Sequence, residues 1–326
     1  MPTRSTWLAW AMEQASPLHR RWYSDAQLSA NLSRQLDCDL DWLSQLGVKF
    51  ERNMPVEGAT PDMYNHRVCD VAGMQTMMGI RFRGRDRTQP FVDLVRANVA
   101  MTDASQIHAI ADWVRDEFAV FKPLKVRFFQ PSHLPFPVDH ALVSGDKRVL
   151  ATALVDMLSG DKPVGHGRVT LQRVQSMEFY EPYAAAYAAI HRERPWLPSQ
   201  AEAMAMDQAQ DCIQTGFVFE VFVDGVWAGV IGAERRDNEF GLQGFVVTEM
   251  VLNSAARGQG LGCAVQVRLA EALQPLGEPS DLLYGTIGTE NPPMLKTAQR
   301  AGRLDVGGYI WVSLNDEVRH PCAKTS

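Results

Sequence analysis

Phe245-Val-Val-Thr-Glu-Met-Val-Leu252, then Asn-Ser-Ala-Ala, then Arg257-Gly258-Gln259-Gly260-Leu261-Gly262 is the stretch whose reading decides the fold. The first eight residues are an apolar run interrupted by Thr248 and Glu249, as expected of a largely buried strand. The amphipathic run Leu261–Leu273 behind the glycines has helical spacing. A strand, a glycine-rich turn and a helix N-terminus form a cradle for an anion. The first N–H groups of a helix lack intrahelical acceptors, and their dipoles favour negative charge. Glycine lets the backbone take positive φ and approach an oxygen-rich ligand closely. Arg257 adds a charge-assisted donor. The string is not the dinucleotide fingerprint GxGxxG, and with no Gly-Lys-Ser/Thr it is not a P-loop.

Outward from this stretch, the pattern from residue 169 alternates in type. Val169–Val174 reads as a strand, and Glu178–Arg192 and Gln200–Gln214 as helices. Phe217–Val223 and Val226–Ala233 read as a hairpin about Asp224-Gly225, a strong turn pair. After the glycine loop and its helix come a strand over Leu282–Ile287, a helix over Pro292–Ala301 and a strand over Tyr309–Leu314. The order is β-α-α-β-β-β-α-β-α-β.

On these residues the chain resembles the GNAT superfamily of N-acetyltransferases over about 167–315. The RxxGxG loop, its flanking strand and helix, and the segment Gly285-Thr-Ile-Gly-Thr-Glu-Asn291-Pro-Pro-Met-Leu-Lys-Thr-Ala-Gln-Arg-Ala-Gly302 carry the resemblance. It implies an α+β fold in three layers, a mixed twisted sheet with flanking helices. It implies acetyl-CoA, or another acyl-CoA, as co-substrate, with the pyrophosphate on the backbone of Gly258, Gln259, Gly260, Leu261 and Gly262. The pantetheine arm is expected in a splay between Met250–Leu252 and Thr286–Gly288, with Arg257 and Asn291 also touching CoA. The reaction implied is direct transfer of the acyl group to the amine of a small molecule or peptide. A backbone N–H of Met250, Val251 or Leu252 serves as oxyanion donor. The alternative is a CoA-binding or regulatory protein that does not catalyse.

Individual residues carry competing readings. Glu249 beside the expected thioester is a candidate base for the amine proton; the competing reading is a partly exposed strand residue paired with an arginine. Strict alternation puts Thr248 and Met250 on the opposite face from Glu249. The tyrosine that this superfamily often carries seven residues after the asparagine is Ala298 here. Tyr284 and Tyr309 are the candidate substitutes as acid, against an ordinary place in the core. Asn291 before Pro292 is also a standard helix start. Cys263 at a helix N-terminus reads as a stabilised thiolate or as a small core residue. Tyr180, Tyr183, Tyr187 and Trp196 give residues 178–214 an aromatic character, from pocket lining or from core packing.

The first half is less specific. Ser24 or Asp25 caps a leucine-striped helix that Gly47 ends. Gly73–Phe82 and Phe91–Val99 read as strands about the turn Arg83–Gln89, and the basic cluster Arg81, Arg83, Arg85 and Arg87 reads as a solvated turn or an anion contact. A helix capped by Thr102 or Asp103 carries the stripe Ile107, Ile110, Ala111, Val114, Phe118 and Phe121; Lys125–Phe129 is a strand, and 148–158 reads as helix. This strand-turn-strand-helix-strand order matches the middle of the second half. The first half thus reads either as a degenerate copy of the same fold or as a different α+β domain. Ala100-Met-Thr-Asp-Ala stands where the glycines would be, so no CoA is expected there. Ser159–Gly167 is the linker between an N-terminal domain, 1–160, and the domain at 167–315, with 316–326 as a tail.

The whole-chain figures frame this reading. The 326 residues suggest two domains. At 46% hydrophobic, 21% charged and mean hydropathy −0.19, the chain has the composition of a soluble globular protein. The net charge of −6 argues against nucleic acid as a partner, and all of it falls in residues 166–326. Five cysteines without a CxxC, no signal-like segment and no long apolar run give a reduced, cytoplasmic protein with no membrane partner as the expectation. No histidine or cysteine pattern suggests a metal.

Overall fold

In the computed structural model the described residues are 1–44, 46–135, 143–194 and 202–314. They divide into two compact units: Met1–Arg148 with Asn238–Leu242 and the chain from Val306, and Val149–Asp237 with Gln243–Asp305. In chain order the helices are α1 (Arg4–Gln14), α2 (Pro17–Trp22), α3 (Asp25–Asp41), α4 (Leu46–Asn53), α5 (Ala104–Glu117), α6 (Leu154–Ser159), α7 (Tyr180–Glu193), α8 (Met206–Thr215), α9 (Gly262–Leu273) and α10 (Pro292–Arg300). The strands are β1 (Arg67–Val71), β2 (Met74–Phe82), β3 (Pro90–Ala97), β4 (Lys125–Pro131), β5 (Val143–Ala153), β6 (Val169–Arg173), β7 (Phe217–Val223), β8 (Val226–Glu239), β9 (Leu242–Leu252), β10 (Leu282–Gly288) and β11 (Leu304–Ser313). The fold is mixed α+β, with helices flanking mixed sheet.

The first unit orders its strands β1-β2-β3-β4-β11-β5. β2 pairs antiparallel with β3, and β3 runs parallel to β4, from Phe91 opposite Lys125 to Leu94 opposite Phe128. The stripe Ile107, Ile110, Ala111, Val114, Phe118 and Phe121 is buried against Met78, Ile80, Val92 and Leu94. On the other face Met77 packs with Trp7 of α1 and Leu36 of α3. Alternation along β2 thus sends its apolar residues into two helix layers.

The second unit orders its strands β5-β10-β9-β8-β7-β6. Asp224 and Gly225, at φ +51° and +81°, form the tight turn of the β7–β8 hairpin. β9 and β10 run parallel through only three pairs, Gly244 to Val246 against Leu282 to Tyr284, and both strands continue beyond them. Here too one sheet face packs on α9 and the other on α7 and α8.

Four expectations change. Residues 148–153 belong to β5; Val149 to Thr152 are all buried, and an apolar run closed off on both sides does not announce its period. The units divide at Arg148 and Val149, within that strand, and the last strand of the chain pairs with β4. Strand pairing therefore sets the division, which composition at Ser159–Gly167 does not show. Gly47 lies inside α4, after α3 has ended at Asp41. Arg81 is no solvated turn residue: its guanidinium stacks 4.0 Å from the Trp42 ring and approaches His66 Nε2 at 2.6 Å. Among the described residues no helix is long and apolar enough to cross a membrane.

Candidate functional site

Glu249 sits where β9 loses its alternation. Phe245 and Val247 pack with the α9 layer, and so do Met250 and Leu252, so the parity slips by one between them. Thr248 and Glu249 both face Gly232: a Cβ built on that glycine lies 3.4 Å from the Glu249 Cβ and 3.5 Å from the Thr248 hydroxyl. Two residues against one is the geometry of a β-bulge, which re-aims side chains and leaves backbone groups out of the ladder. Met250 takes the face opposite Glu249, as alternation requires. Thr248 does not; it lines the same cleft as Glu249.

The Glu249 carboxylate is only 7% exposed and has no arginine partner among the described residues. The Tyr183 hydroxyl donates to Oε2 at 2.7 Å and the Tyr187 hydroxyl to Oε1 at 2.5 Å. Tyr183 and Tyr187 are four residues apart on α7, hence on one helix face. Tyr183 is itself fixed, accepting from the Met204 N–H at 2.8 Å. Burial pushes the carboxyl group above its ordinary pKa, opposed by both tyrosines and by the Met250 N–H. Burial and the adjacent carboxylate push both tyrosines well up, so they remain donors. A cleft of about 180 Å³ opens beside Glu249, with Gln208, Asp211, Cys212 and Glu234 on its walls. Of the two readings of the aromatic run, core packing holds: Tyr183 is buried with Tyr180 and Tyr187 packed against its cluster, none of the three lines the cleft, and Tyr183 and Tyr187 hold the Glu249 carboxylate. Trp196 lies outside the described residues. The i,i+4 tyrosine pair was visible in the sequence; its partner was not.

The glycine loop has the conformation its sequence suggests. Gly258 and Gly260 have φ +77° and +75°, and a Cβ on either would meet nothing within 4 Å. Helix α9 has no side-chain cap. No backbone N–H from Gly258 to Gly262 reaches an acceptor among the described residues. The loop is pinned from outside: Arg257 grips Glu193 of α7 at 2.9 and 2.8 Å, and Gln259 bonds Ala255 O and Arg168. Leu261 is buried. Gly262 lies under Thr297 and the Met250 methyl, too close for a larger residue.

The remaining candidates separate. Asn291 caps α10, accepting from the Met294 N–H at 3.4 Å. Tyr284 is fully buried, its hydroxyl donating to Arg236 O at 3.3 Å. Ala298 is fully buried as well. Tyr309 belongs to the first unit, where the Arg127 guanidinium lies 4.2 Å from its ring centre. Cys263 is a core residue of α9 whose thiol is pushed up by burial, the opposite of a stabilised thiolate. Val251 packs with the α7 layer, so Met250 and Leu252 are the two strand-end side chains on the α9 side.

No protein-family model matches the sequence, and no curated protein matches it. Among solved structures, the chain is similar to an acetyltransferase of the GNAT family from Colwellia psychrerythraea (TM-score 0.47, 12% identity, 85% of this chain and 97% of that one). A GCN5-related N-acetyltransferase from Sphaerobacter thermophilus matches at 0.46 and 12%, over 85% and 94%. A tandem GNAT protein from the clavulanic acid biosynthesis pathway matches at 0.42 and 14%, over 86% and 95%. At these values the functional reading rests on the chain's own geometry.

Proposed function

We propose that the second unit is an acyl-CoA-dependent N-acyltransferase, with acetyl-CoA as the donor and a small-molecule or peptide amine as the acceptor. One observation carries this reading: a buried, proton-avid carboxylate opens on a cleft at the bulge of β9, and the same strand runs on into a loop of unsatisfied N–H groups. Gly258 to Gly262 fit a pyrophosphate, because their donors are free and their two positive-φ glycines leave room. Arg257 contributes charge at the edge of the cradle while braced by Glu193. Asn291 holds the start of α10 in place. The splay of β9 from β10 beyond Val246 and Tyr284 suits the arm of the cofactor.

The chemistry follows from what these groups can do. The acceptor enters protonated, and the cleft walls of Asp211, Glu234 and Glu249 favour a cation. Glu249 takes one proton from the ammonium, directly or through a water, the neutral nitrogen then attacks the thioester carbonyl, and the proton left on the nitrogen passes to water or to the departing thiolate as the C–S bond breaks. A backbone N–H of Met250, Val251 or Leu252 stabilises the oxyanion. No acyl-enzyme is formed, and the thiolate leaves without a tyrosine at position 298. That missing hydroxyl is what supports the alternative, a CoA-binding or regulatory protein without turnover.

Calorimetry with acetyl-CoA tests binding, and release of free CoA with a panel of amines tests turnover. Wild type should bind, and Gly260→Leu should weaken binding about tenfold or more by filling the cradle. No heat with wild type removes the reading; binding without turnover selects the alternative.

A further inference from the structure

The first unit contains a cavity of about 230 Å³ that the acyltransfer reading does not use, and all of its walls belong to that unit. It begins where the parallel ladder of β3 and β4 stops at Leu94 and Phe128, although β3 runs to Ala97 and β4 to Pro131. Leu94, Met101, Phe128, Phe129 and Val306 give it apolar walls. The lining also includes Asp39, Asp93, Arg96 and Tyr309. A concave, mostly apolar space with a few convergent polar groups is the usual form of a small-molecule site.

The helix that follows β3 excludes phosphate. At the start of α5, Asp103 accepts from the Ser105 N–H at 2.7 Å, and Gln106 accepts from the Thr102 and Asp103 N–H groups at 3.2 Å. The chain thus satisfies its own donors there and adds a carboxylate. The polar groups in the cavity narrow the ligand further. Arg96 bonds Asp39 Oδ2 at 2.8 Å, and Arg127 bonds both oxygens of Asp93 at 2.9 and 2.8 Å. Arg81 brings a third guanidinium to these two carboxylates, so a free ammonium gains little. A ligand carboxylate would in turn meet Asp39 and Asp93 at close range. Asp39 Oδ1 accepts no hydrogen bond among the described residues, and the Tyr309 hydroxyl has no partner there. Asp39 Oδ1 as acceptor and the Tyr309 hydroxyl as donor therefore face a ligand, beside His19 Nδ1 in the same lining, which is buried and has no hydrogen-bond partner among the described residues.

We propose that this cavity binds a small, phosphate-free molecule with an apolar body and a neutral head that both donates and accepts hydrogen bonds, as a carboxamide does. The head's N–H donates to Asp39 and its oxygen accepts from Tyr309. The body lies between Met101 and the Phe128–Phe129 wall. This site is independent of the acyltransferase reading.

Methionine-methyl NMR on the full chain tests it, with hexanamide as the probe and hexanoate, hexylamine and CoA as comparisons. Hexanamide should shift the Met101 methyl saturably, with a millimolar Kd, and Tyr309→Phe should weaken that binding about tenfold while leaving the fold intact. The proposal is overturned if Met101 does not respond to hexanamide, or if CoA moves it. It is equally overturned if hexanoate or hexylamine binds there as tightly as the amide. A shift at Met250 alone would place the probe in the second unit and count against the site.

Discussion

Glu249→Gln separates a catalytic carboxylate from a structural one. The change keeps side-chain size and removes the ability to take a proton. A positioned base contributes about 10² to 10⁴ in rate, so kcat/KM for amine acylation should fall by that factor, about 3 to 5 kcal/mol in the barrier. Stability should respond in the other sense. Burial raises the Glu249 pKa in the folded protein, so between its unfolded value and that raised value the folded state binds the extra proton. Stability due to this group is full below the unfolded pKa and declines as pH rises through the folded one. The amide carries no such penalty at neutral pH. It does lose one acceptor for the Tyr183 and Tyr187 hydroxyls, about 0.5 to 1.5 kcal/mol. The two effects oppose each other, so the melting temperature at pH 7 should barely move while turnover collapses. The wild-type profile of kcat/KM should fall on the acid side with a midpoint above the usual carboxylate range, and the variant should lack that limb. The assay is thiol release from acetyl-CoA across pH, beside a thermal melt. A variant within threefold of wild-type activity, with the same acid limb, would refute the assignment of Glu249 as the base.

Three further outcomes follow from particular contacts. Tyr187→Phe removes the 2.5 Å bond that favours the ionised form of Glu249 against its burial; the acid limb of kcat/KM should move up by about one pH unit, and an unmoved limb would show that this carboxylate does not control the rate. His66 is lowered to about 3, by burial first and by Arg81 second, so the unfolded chain binds the proton between its ordinary value and about 3, and stability should rise with pH across that window; His66→Gln should flatten that part of a urea-melting series, and an unchanged slope would count against it. Arg303 is fully buried and lowered to about 10 by desolvation, its N–H groups on Leu150 O, Gly285 O and Gln266; Arg303→Lys leaves some of these acceptors unpaired and should destabilise by about 3 kcal/mol in urea melts, an expectation that an unaltered midpoint would remove.

What could be read from the sequence depended on range. The loop from Arg257 to Gly262, the Asp224-Gly225 turn and the α5 stripe are local features whose physics acts within a few residues, and each takes the expected form. The caps at Ser24 and Asp103 are equally local. Readings fail where a distant strand decides. Val149 to Ala153 are strand although their apolar run has no period to announce it, and the chain's last strand pairs with β4, which no linker composition announces. The candidate site shows the same limit. Glu249 could be singled out as a carboxylate in an apolar strand, but its partners lie more than sixty residues away on α7. Alternation puts Thr248 on the wrong face because it assumes an unbroken ladder, and the slip opposite Gly232 breaks it.

That slip also explains how one strand serves two purposes. Before it, Phe245 and Val247 anchor β9 to the α9 layer; after it, Met250 and Leu252 return to the same layer. Without the extra residue, one of these two pairs would have to leave that layer for Glu249 to face α7, and the helix carrying the glycine cradle would lose part of its seat. The bulge therefore lets the strand deliver a buried carboxylate to the tyrosine face while its end still supports α9 beneath Met250 and Gly262. In the first unit, β3 meets α5 through a self-capped helix start and a carboxylate. The two units share a parallel strand pair that stops early, and the few residues between strand and helix differ: the N–H groups of Gly258 to Gly262 reach no acceptor among the described residues, while at the start of α5 Asp103 and Gln106 accept from the chain's own donors.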